Sequence, residues 1–336
     1  MTRRRVLLTI AAGVVLVGSW WIGARRPALV VYCAHDAIHA EKVLRDFEKS
    51  TGIPVVIRFD TEATKSLGLV ELLVREKAAP RCDVFWNNEL LGMLDLAERG
   101  ILEPYAGAGF ARIPPSCKDP AGRWTGFAAR LRVVIFNPQK VTAPEIPARL
   151  GGADRARVAI AKPLYGTTLT HYSVLWNAWG GERLQAWHRE ARRAGVREAN
   201  GNAAVKDLVA EGVCDLGFTD TDDFFEAKDE GKPVAMLPVR LENGATICIP
   251  NTVAIIHGTK RPAEARKLVD YLLSEQTELA LANSKSRQIP LGPVPAERLP
   301  AEVRELVAWA REGVDLTPLG PARAACLAWL KAESLR

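Results

Sequence analysis

The sequence lacks the cysteine and histidine spacings that hold most structural zinc and iron–sulfur sites. Its six cysteines include no C-x-x-C pair, and the whole chain has only five histidines. This wide spacing argues against a zinc or iron–sulfur centre. In an oxidising compartment the cysteines can form disulfides or remain buried thiols, and the sequence favours neither alternative. The cysteines are Cys33, Cys82, Cys117, Cys214, Cys248 and Cys326.

The sequence also lacks the short motifs of common exported hydrolases. Neither G-x-S-x-G nor H-E-x-x-H occurs, and we find no internal repeat or low-complexity segment. These motifs carry the nucleophile of serine hydrolases and the metal ligands of zinc proteases. An exported hydrolase that uses paired aspartates therefore remains only as a minor alternative, and we expect no enzymatic activity.

Strong compositional bias is missing as well. The 336 residues are 48% hydrophobic and 25% charged, with a mean hydropathy of −0.02. These values exclude a disordered chain, a collagen and a polytopic membrane protein. The formal charge is +6, but five arginines lie in the first 26 residues, and without them the charge is +1. A nearly neutral domain gives no support to a nucleic-acid partner.

An uncharged, largely apolar run is present at residues 6–24, with arginines on both sides. A basic start followed by an apolar run is typical of an export signal. Nineteen residues can just span a bilayer, so residues 1–27 are predicted to be a signal peptide or an N-terminal anchor. The arginine triplet at residues 3–5 fits either the general or the twin-arginine export route. Both alternatives place the rest of the chain in the periplasm or outside the cell.

The remaining chain alternates predicted strands and helices, which indicates parallel sheets with helices on both faces. A second α/β unit interrupts a first one, so we predict two lobes joined by crossing strands near residues 126–136 and 245–253. Lobe 1 is predicted at residues 28–128 plus 251–300 and lobe 2 at residues 129–250. Helices at residues 301–336 are expected to pack back on the lobes.

Four short motifs occur in a fixed order along this pattern. They are Tyr32 and Phe47 ahead of Thr51-Gly52, DVFWNN at residues 83–88, GILEP at residues 100–104 and GFTD at residues 217–220. Together they resemble the extracellular solute-binding proteins of ABC importers, specifically the ferric-ion-binding group, over roughly residues 29–290. The resemblance implies an α/β periplasmic-binding-protein-like fold that closes on its ligand about hinge strands. It also implies an ABC permease and an ATPase as partners, a monomeric state and no cofactor.

The ligand set of that family is altered in this sequence. The family holds iron(III) with a histidine, a glutamate and two adjacent tyrosines. By this resemblance the histidine position falls on Asp36, with His35 beside it, and the glutamate position falls on Asn88. The tyrosine pair falls on Asp222 and Asp223, and none of the five tyrosines is adjacent to another. The resemblance therefore extends to the scaffold and not to the phenolate site.

Acidic residues form the candidate cation site. Asp36, Asp222 and Asp223 are the predicted metal ligands, with Asp220 beside them. Carboxylate oxygens are hard donors that suit Fe³⁺, Ca²⁺, Mn²⁺ or Mg²⁺ and equally an ammonium group. The same aspartates can instead cap the helices that they precede or open. His35 is a further candidate ligand, although a single histidine near a strand end is commonly structural.

Small polar residues form a candidate anion site. Thr167 and Thr168 follow a glycine at the start of a predicted helix, where free backbone N–H groups attract anions. The resemblance adds Asn202 as a second anion-contacting position. A plain helix cap at the threonines is the alternative.

Besides the hydrolase, three functions remain open from the sequence. The first is capture of iron(III), or another hard metal ion, with an anion. The second is binding of an aminoalkylphosphonate or another small zwitterion. A membrane-anchored ligand-sensing domain is the alternative of a different class.

Overall fold

The computed structural model of the protein describes residues 27–60 and 66–335. The predicted export segment lies outside these residues, except for Pro27. Within the described ranges, no helix combines the length and apolar character needed to cross a bilayer. The six cysteines all lie in the described part of the chain, which contains no disulfide bond.

Strands and helices alternate along most of the chain. The strands are β1 (Leu29–Cys33), β2 (Val55–Phe59), β3 (Val84–Asn87), β4 (Leu102–Glu103), β5 (Thr125–Phe136), β6 (Val158–Ala161), β7 (Arg197–Ala199), β8 (Leu216–Asp220), β9 (Ala235–Pro238) and β10 (Cys248–Ile256). The helices are α1 (Ala37–Thr51), α2 (Leu67–Arg75), α3 (Leu91–Glu98), α4 (Ala108–Arg112), α5 (Ile146–Gly151), α6 (Gly166–Trp179), α7 (Gly181–Arg193), α8 (Asn202–Ala210), α9 (Thr221–Asp229), α10 (Pro262–Leu272), α11 (Glu275–Ala282), α12 (Ala301–Ala310) and α13 (Gly320–Glu333).

Hydrophobic periodicity explains the elements that support the site. In α1 the buried residues are Ala40, Val43, Leu44 and Phe47, which recur on one face of a 3.6-residue helix. The helix ends at Gly52, whose φ of 67° lies in the left-handed region that favours glycine. The Thr51-Gly52 part of the first sequence motif is therefore the end of this helix.

The strands form one continuous curved sheet in the order β2-β1-β3-β10-β5-β8-β6-β7. The pairs β1–β2, β1–β3, β6–β7 and β6–β8 are parallel. Strands β5 and β10 are antiparallel to each other and join these two parallel parts. They lie close to the two crossing segments expected from the sequence. The residue bounds of the lobes remain a prediction, since the sheet runs without a break through this pair.

Strand β5 is buried along its whole length and contains a bulge. Phe127 pairs with Asn251 and Arg130 pairs with Ile249, so β5 has one more residue than β10 between these pairs. The bulge includes Ala128, whose φ of 42° is uncommon for a residue with a side chain. A bulge bends its strand and redirects the side chains that follow it.

The C-terminal helix α13 packs on both sides of the molecule. Trp329 lies against Trp176 of α6, with ring centroids 5.8 Å apart. Lys331 Nζ lies 3.4 Å from Glu71 Oε1 of α2. Because α2 and α6 flank opposite ends of the sheet, this helix links the two ends behind the crossing strands.

Candidate functional site

A cavity of about 220 Å³ opens beside the crossing strands. It is lined by the start of α1, by the residue after β3 and by the starts of α6, α8 and α9. Eight of the nine predicted ligand-binding residues line it, and His35 lies behind its wall. The eight are Asp36, Asn88, Thr167, Thr168, Asn202, Asp220, Asp222 and Asp223.

Sheet topology explains why these residues meet. Strands β6 and β8 are parallel, and helices α6 and α9 follow their carboxyl ends. Helix α8 follows β7, which is parallel to β6, in the same way. The carboxyl ends of parallel strands form the crevice in which α/β sheets bind ligands. The N-termini of three helices therefore surround one cavity.

Asp220 belongs to the wall of the cavity rather than to its open part. Its carboxylate accepts hydrogen bonds from Arg132 Nη1 at 2.8 Å, Thr167 Oγ1 at 2.5 Å and Asn202 Nδ2 at 3.0 Å. It also caps α9 in a reciprocal pair with Asp223. Asp220 is therefore the N-cap of this helix, which begins at Thr221. Its many donors hold Asp220 in a fixed position.

Asp222 and Asp223 complete the acidic cluster at the start of α9. One carboxylate oxygen from each of these residues and from Asp220 lies within 4.8 Å of the other two. Burial raises the pKa of Asp223 well above its usual range, and the charges of Asp222 and Asp220 raise it further. Burial also raises the pKa of Asp222, against the opposing charge of Arg130. Burial and mutual repulsion therefore disfavour the fully ionised form of this cluster when no cation is bound.

Two arginines from β5 lie under this cluster, and the sequence reasoning missed both. Arg130 lies with Nε 3.2 Å from Asp222 Oδ2, and its Nη1 donates to the carbonyl of Asn88 at 2.9 Å. Its Nη2 lies 3.1 Å from Nδ1 of His35. Arg132, two residues along the strand, holds Asp220 and Asn202. The sequence does contain a signal for them, because basic residues are rare inside an otherwise apolar buried strand.

The predicted anion side is built from linked polar groups. Asn202 Nδ2 donates to Thr167 Oγ1 at 2.8 Å, and Thr168 Oγ1 donates to Asn202 Oδ1 at 3.1 Å. These bonds fix the N-termini of α6 and α8 against each other. Lys162 and Tyr165 also line the cavity and were not predicted. Both precede α6 in the β6–α6 loop, where the sequence alone does not show which side chains reach the cavity.

Two buried histidines, His35 and His171, lie near the cavity. His35 stacks on Trp86 with ring centroids 5.5 Å apart. His171 packs against Phe218, and burial with the nearby charge of Arg132 lowers its pKa well below the usual range. This environment favours the uncharged imidazole of His171.

Comparison with known proteins identifies the family. A family model described as bacterial extracellular solute-binding protein matches residues 29–284. The Fe(3+)-binding periplasmic protein of Serratia marcescens is 27% identical over 194 residues, which cover 56% of this chain and 55% of that protein. The chain thus matches about half the length of this relative. Iron uptake protein A1 of Synechocystis sp. is 25% identical over 291 residues, covering 83% of this chain and 79% of that protein.

The fold agrees with that of a solved relative. The crystal structure of iron-bound HitA from Pseudomonas aeruginosa has a TM-score of 0.77 and 22% identity, and the alignment covers 91% of this chain and 98% of that one. At this identity the likeness shows the fold, and the predicted two-lobed α/β fold is confirmed. Because the family model matches more than half of its length, the chain belongs to the bacterial extracellular solute-binding protein family, which supplies the substrate-binding components of ABC importers.

Proposed function

We propose that this chain captures a hard metal ion, iron(III) in the first place, together with an anion. The observation that carries the proposal is the group of three carboxylates within 4.8 Å of one another, in a cavity that also contains the N-termini of α6 and α8. Carboxylate oxygens are ligands for hard cations. Helix N-termini stabilise the anion that completes the coordination of the metal.

The charge balance of the cavity supports a positively charged ligand. Burial and repulsion from neighbouring carboxylates raise the pKa values of Asp222 and Asp223. A bound cation would relieve this repulsion, whereas a purely anionic ligand would increase it. The names of the two relatives, one Fe(3+)-binding and one an iron uptake protein, support iron as the cation.

Direct titration tests the proposal. Purified protein without its export segment is titrated with ferric citrate, with Mn²⁺ and with citrate alone, by calorimetry and tryptophan fluorescence. We expect binding of the ferric complex and a large loss of it in Asp223→Asn. Asp229→Asn is the matched control, because Asp229 ends the same helix and pairs with Arg287 at the surface. Absence of binding for every metal species would contradict the proposal.

A small zwitterion such as an aminoalkylphosphonate is the second candidate ligand. It is favoured by the ion pairs Arg130–Asp222 at 3.2 Å and Arg132–Asp220 at 2.8 Å. These arginines already compensate part of the acidic charge that a trivalent ion requires. A single ammonium group would suit the remaining charge, with its phosphonate at the helix N-termini. Titration with 2-aminoethylphosphonate, without metal, separates this ligand from the first.

We further propose the periplasm as the location of the folded domain. Periplasmic relatives and membership of an extracellular family support this location. A permease and an ATPase of one importer follow from the family as partners. Stimulation of that ATPase in membrane vesicles by the loaded protein would distinguish transport from ligand sensing.

A further inference from the structure

Arg130 occupies a central position between the two parts of the sheet. It lies in β5 directly after the bulge at Ala128, which redirects the strand toward the cavity. Its side chain is only 2% exposed, yet it lines the ligand cavity. A buried guanidinium in this position places one fixed positive charge inside the acidic cluster.

The contacts of Arg130 hold it in place from both sides of the cleft. On one side it donates to the carbonyl of Asn88 at 2.9 Å and approaches His35 Nδ1 at 3.1 Å. On the other side it approaches Asp222 Oδ2 at 3.2 Å. The side-chain Oδ1 of Asn251 lies 3.5 Å from Nη2 of Arg130. This set of partners allows little movement of the guanidinium when a ligand enters.

Asp222 is therefore shared between Arg130 and any cation in the cavity. Its Oδ2 atom faces Arg130 and the amide of Gln288, which lies 3.4 Å away. Its Oδ1 atom accepts a hydrogen bond from the backbone N–H of Asp223 at 3.2 Å. A metal ion that binds Asp222 must approach the positive charge of Arg130, and two cations in a buried site repel each other strongly.

We infer that Arg130 is a specificity-determining residue that competes with the ligand for Asp222 and so excludes small cations that arrive without an anion. This inference rests on the proposed binding of a metal with its anion. The anion contributes negative charge that offsets the guanidinium, whereas a bare divalent ion has no such compensation. A repulsive group of this kind discriminates between ligands as effectively as an attractive one.

The test compares Arg130→Gln with Arg130→Lys and the wild type. Mn²⁺ chloride is titrated calorimetrically at mildly alkaline pH, first in buffer free of multivalent anions and then with phosphate. Glutamine keeps hydrogen-bonding capacity toward Asn88 and removes the charge. We expect Arg130→Gln to bind Mn²⁺ without phosphate about tenfold or more tightly than the wild type. Arg130→Lys keeps the charge and should retain the weak binding of the wild type.

The inference is overturned if folded Arg130→Gln binds bare Mn²⁺ no more tightly than the wild type, or if Arg130→Lys behaves like Arg130→Gln. The wild type gives an independent test that needs no variant. Its affinity for Mn²⁺ should rise about tenfold or more on addition of phosphate, and an affinity independent of phosphate would also overturn it. Failure of the wild type to bind ferric citrate would contradict the proposed function instead. The difference in Mn²⁺ affinity between Arg130→Gln and Arg130→Lys could still be measured in that case.

Discussion

Asp220 Oδ1 lies 2.8 Å from Arg132 Nη1, and neither side chain is more than 5% exposed. This buried ion pair connects the end of β8 to β5 below the ligand cavity. It separates the acidic residues into two kinds, because Asp220 is fixed by this pair whereas Asp223 is half-buried and lines the cavity. Residues that look equivalent in the sequence therefore have different expected effects on stability and binding.

Asp220→Asn is expected to destabilise the protein by about 3–5 kcal/mol, because it leaves Arg132 charged and buried without its partner. The N-cap of α9 is retained by asparagine, so the loss should come mainly from the ion pair. Urea unfolding of both proteins without ligand measures the difference. Asp223→Asn serves as the control. Asp223 accepts hydrogen bonds from Thr219 Oγ1 and from the backbone N–H of Asp220, which the Oδ1 atom of asparagine can also accept, so this variant should not lose stability. An equal loss in both variants would show that the ion pair is not the cause.

The stability of the unliganded protein should depend on the charge of Asp223. Its pKa is raised in the folded state by burial and by Asp222 and Asp220. The folded state thus binds more protons than the unfolded state, and stability falls as the pH rises from near 3.8, the ordinary aspartate value, through the raised pKa. Above that range Asp223→Asn should melt at a higher temperature than the wild type, and near the lower end the difference should vanish.

Differential scanning calorimetry of the two proteins over this pH range makes the comparison. Added metal should reverse the effect, because a cation stabilises the ionised form that the variant lacks. A melting temperature of the wild type that rises steadily with pH, parallel to that of Asp223→Asn, would contradict the assignment of the excess charge to this residue.

Much of the fold and part of the site were predictable from the sequence. Buried runs such as β3 and the spaced apolar residues of α1 have periodicities that depend only on local structure. Placement of Asp36, Asn88 and Asp222 around one cavity followed from the family resemblance and from the rule for parallel strand ends. Arg130 was missed because its role depends on a bulge in β5, and a bulge depends on the pairing of two distant strands.

Tyr165 is expected to be the source of any colour in an iron complex. Of the five tyrosines it is the one among the residues that line the cavity. A phenolate bound to iron(III) gives a visible charge-transfer absorption, whereas carboxylate ligands alone do not. The ferric complex of the wild type should show this band, and Tyr165→Phe should lose it while it still binds the ion through the aspartates. Tyr271→Phe, far from the cavity on α10, is the matched control. A band that persists in Tyr165→Phe would show that the phenol is not a ligand.

Thr170 of α6 is expected to stabilise the arrangement of the two sides of the cleft. Its hydroxyl donates to Glu89 Oε2 at 3.3 Å, and Glu89 follows β3 on the opposite side of the crossing strands. Thr170→Val removes this bond, and Glu89 keeps its other donors, which include the backbone N–H of Gly92 at 2.8 Å. We expect a loss of about 1 kcal/mol in ligand binding, which is roughly a fivefold weaker affinity.

The matched control for this change is Ser173→Ala, because the hydroxyl of Ser173 donates to the carbonyl of Leu169 within the same helix. Ser173→Ala should leave the affinity unchanged, since its bond does not cross the cleft. Scattering of the ligand-bound proteins supplies a second measurement, in which Thr170→Val should be less compact than Ser173→Ala at subsaturating ligand. If both variants bind as tightly as the wild type, the Thr170–Glu89 bond contributes nothing to closure.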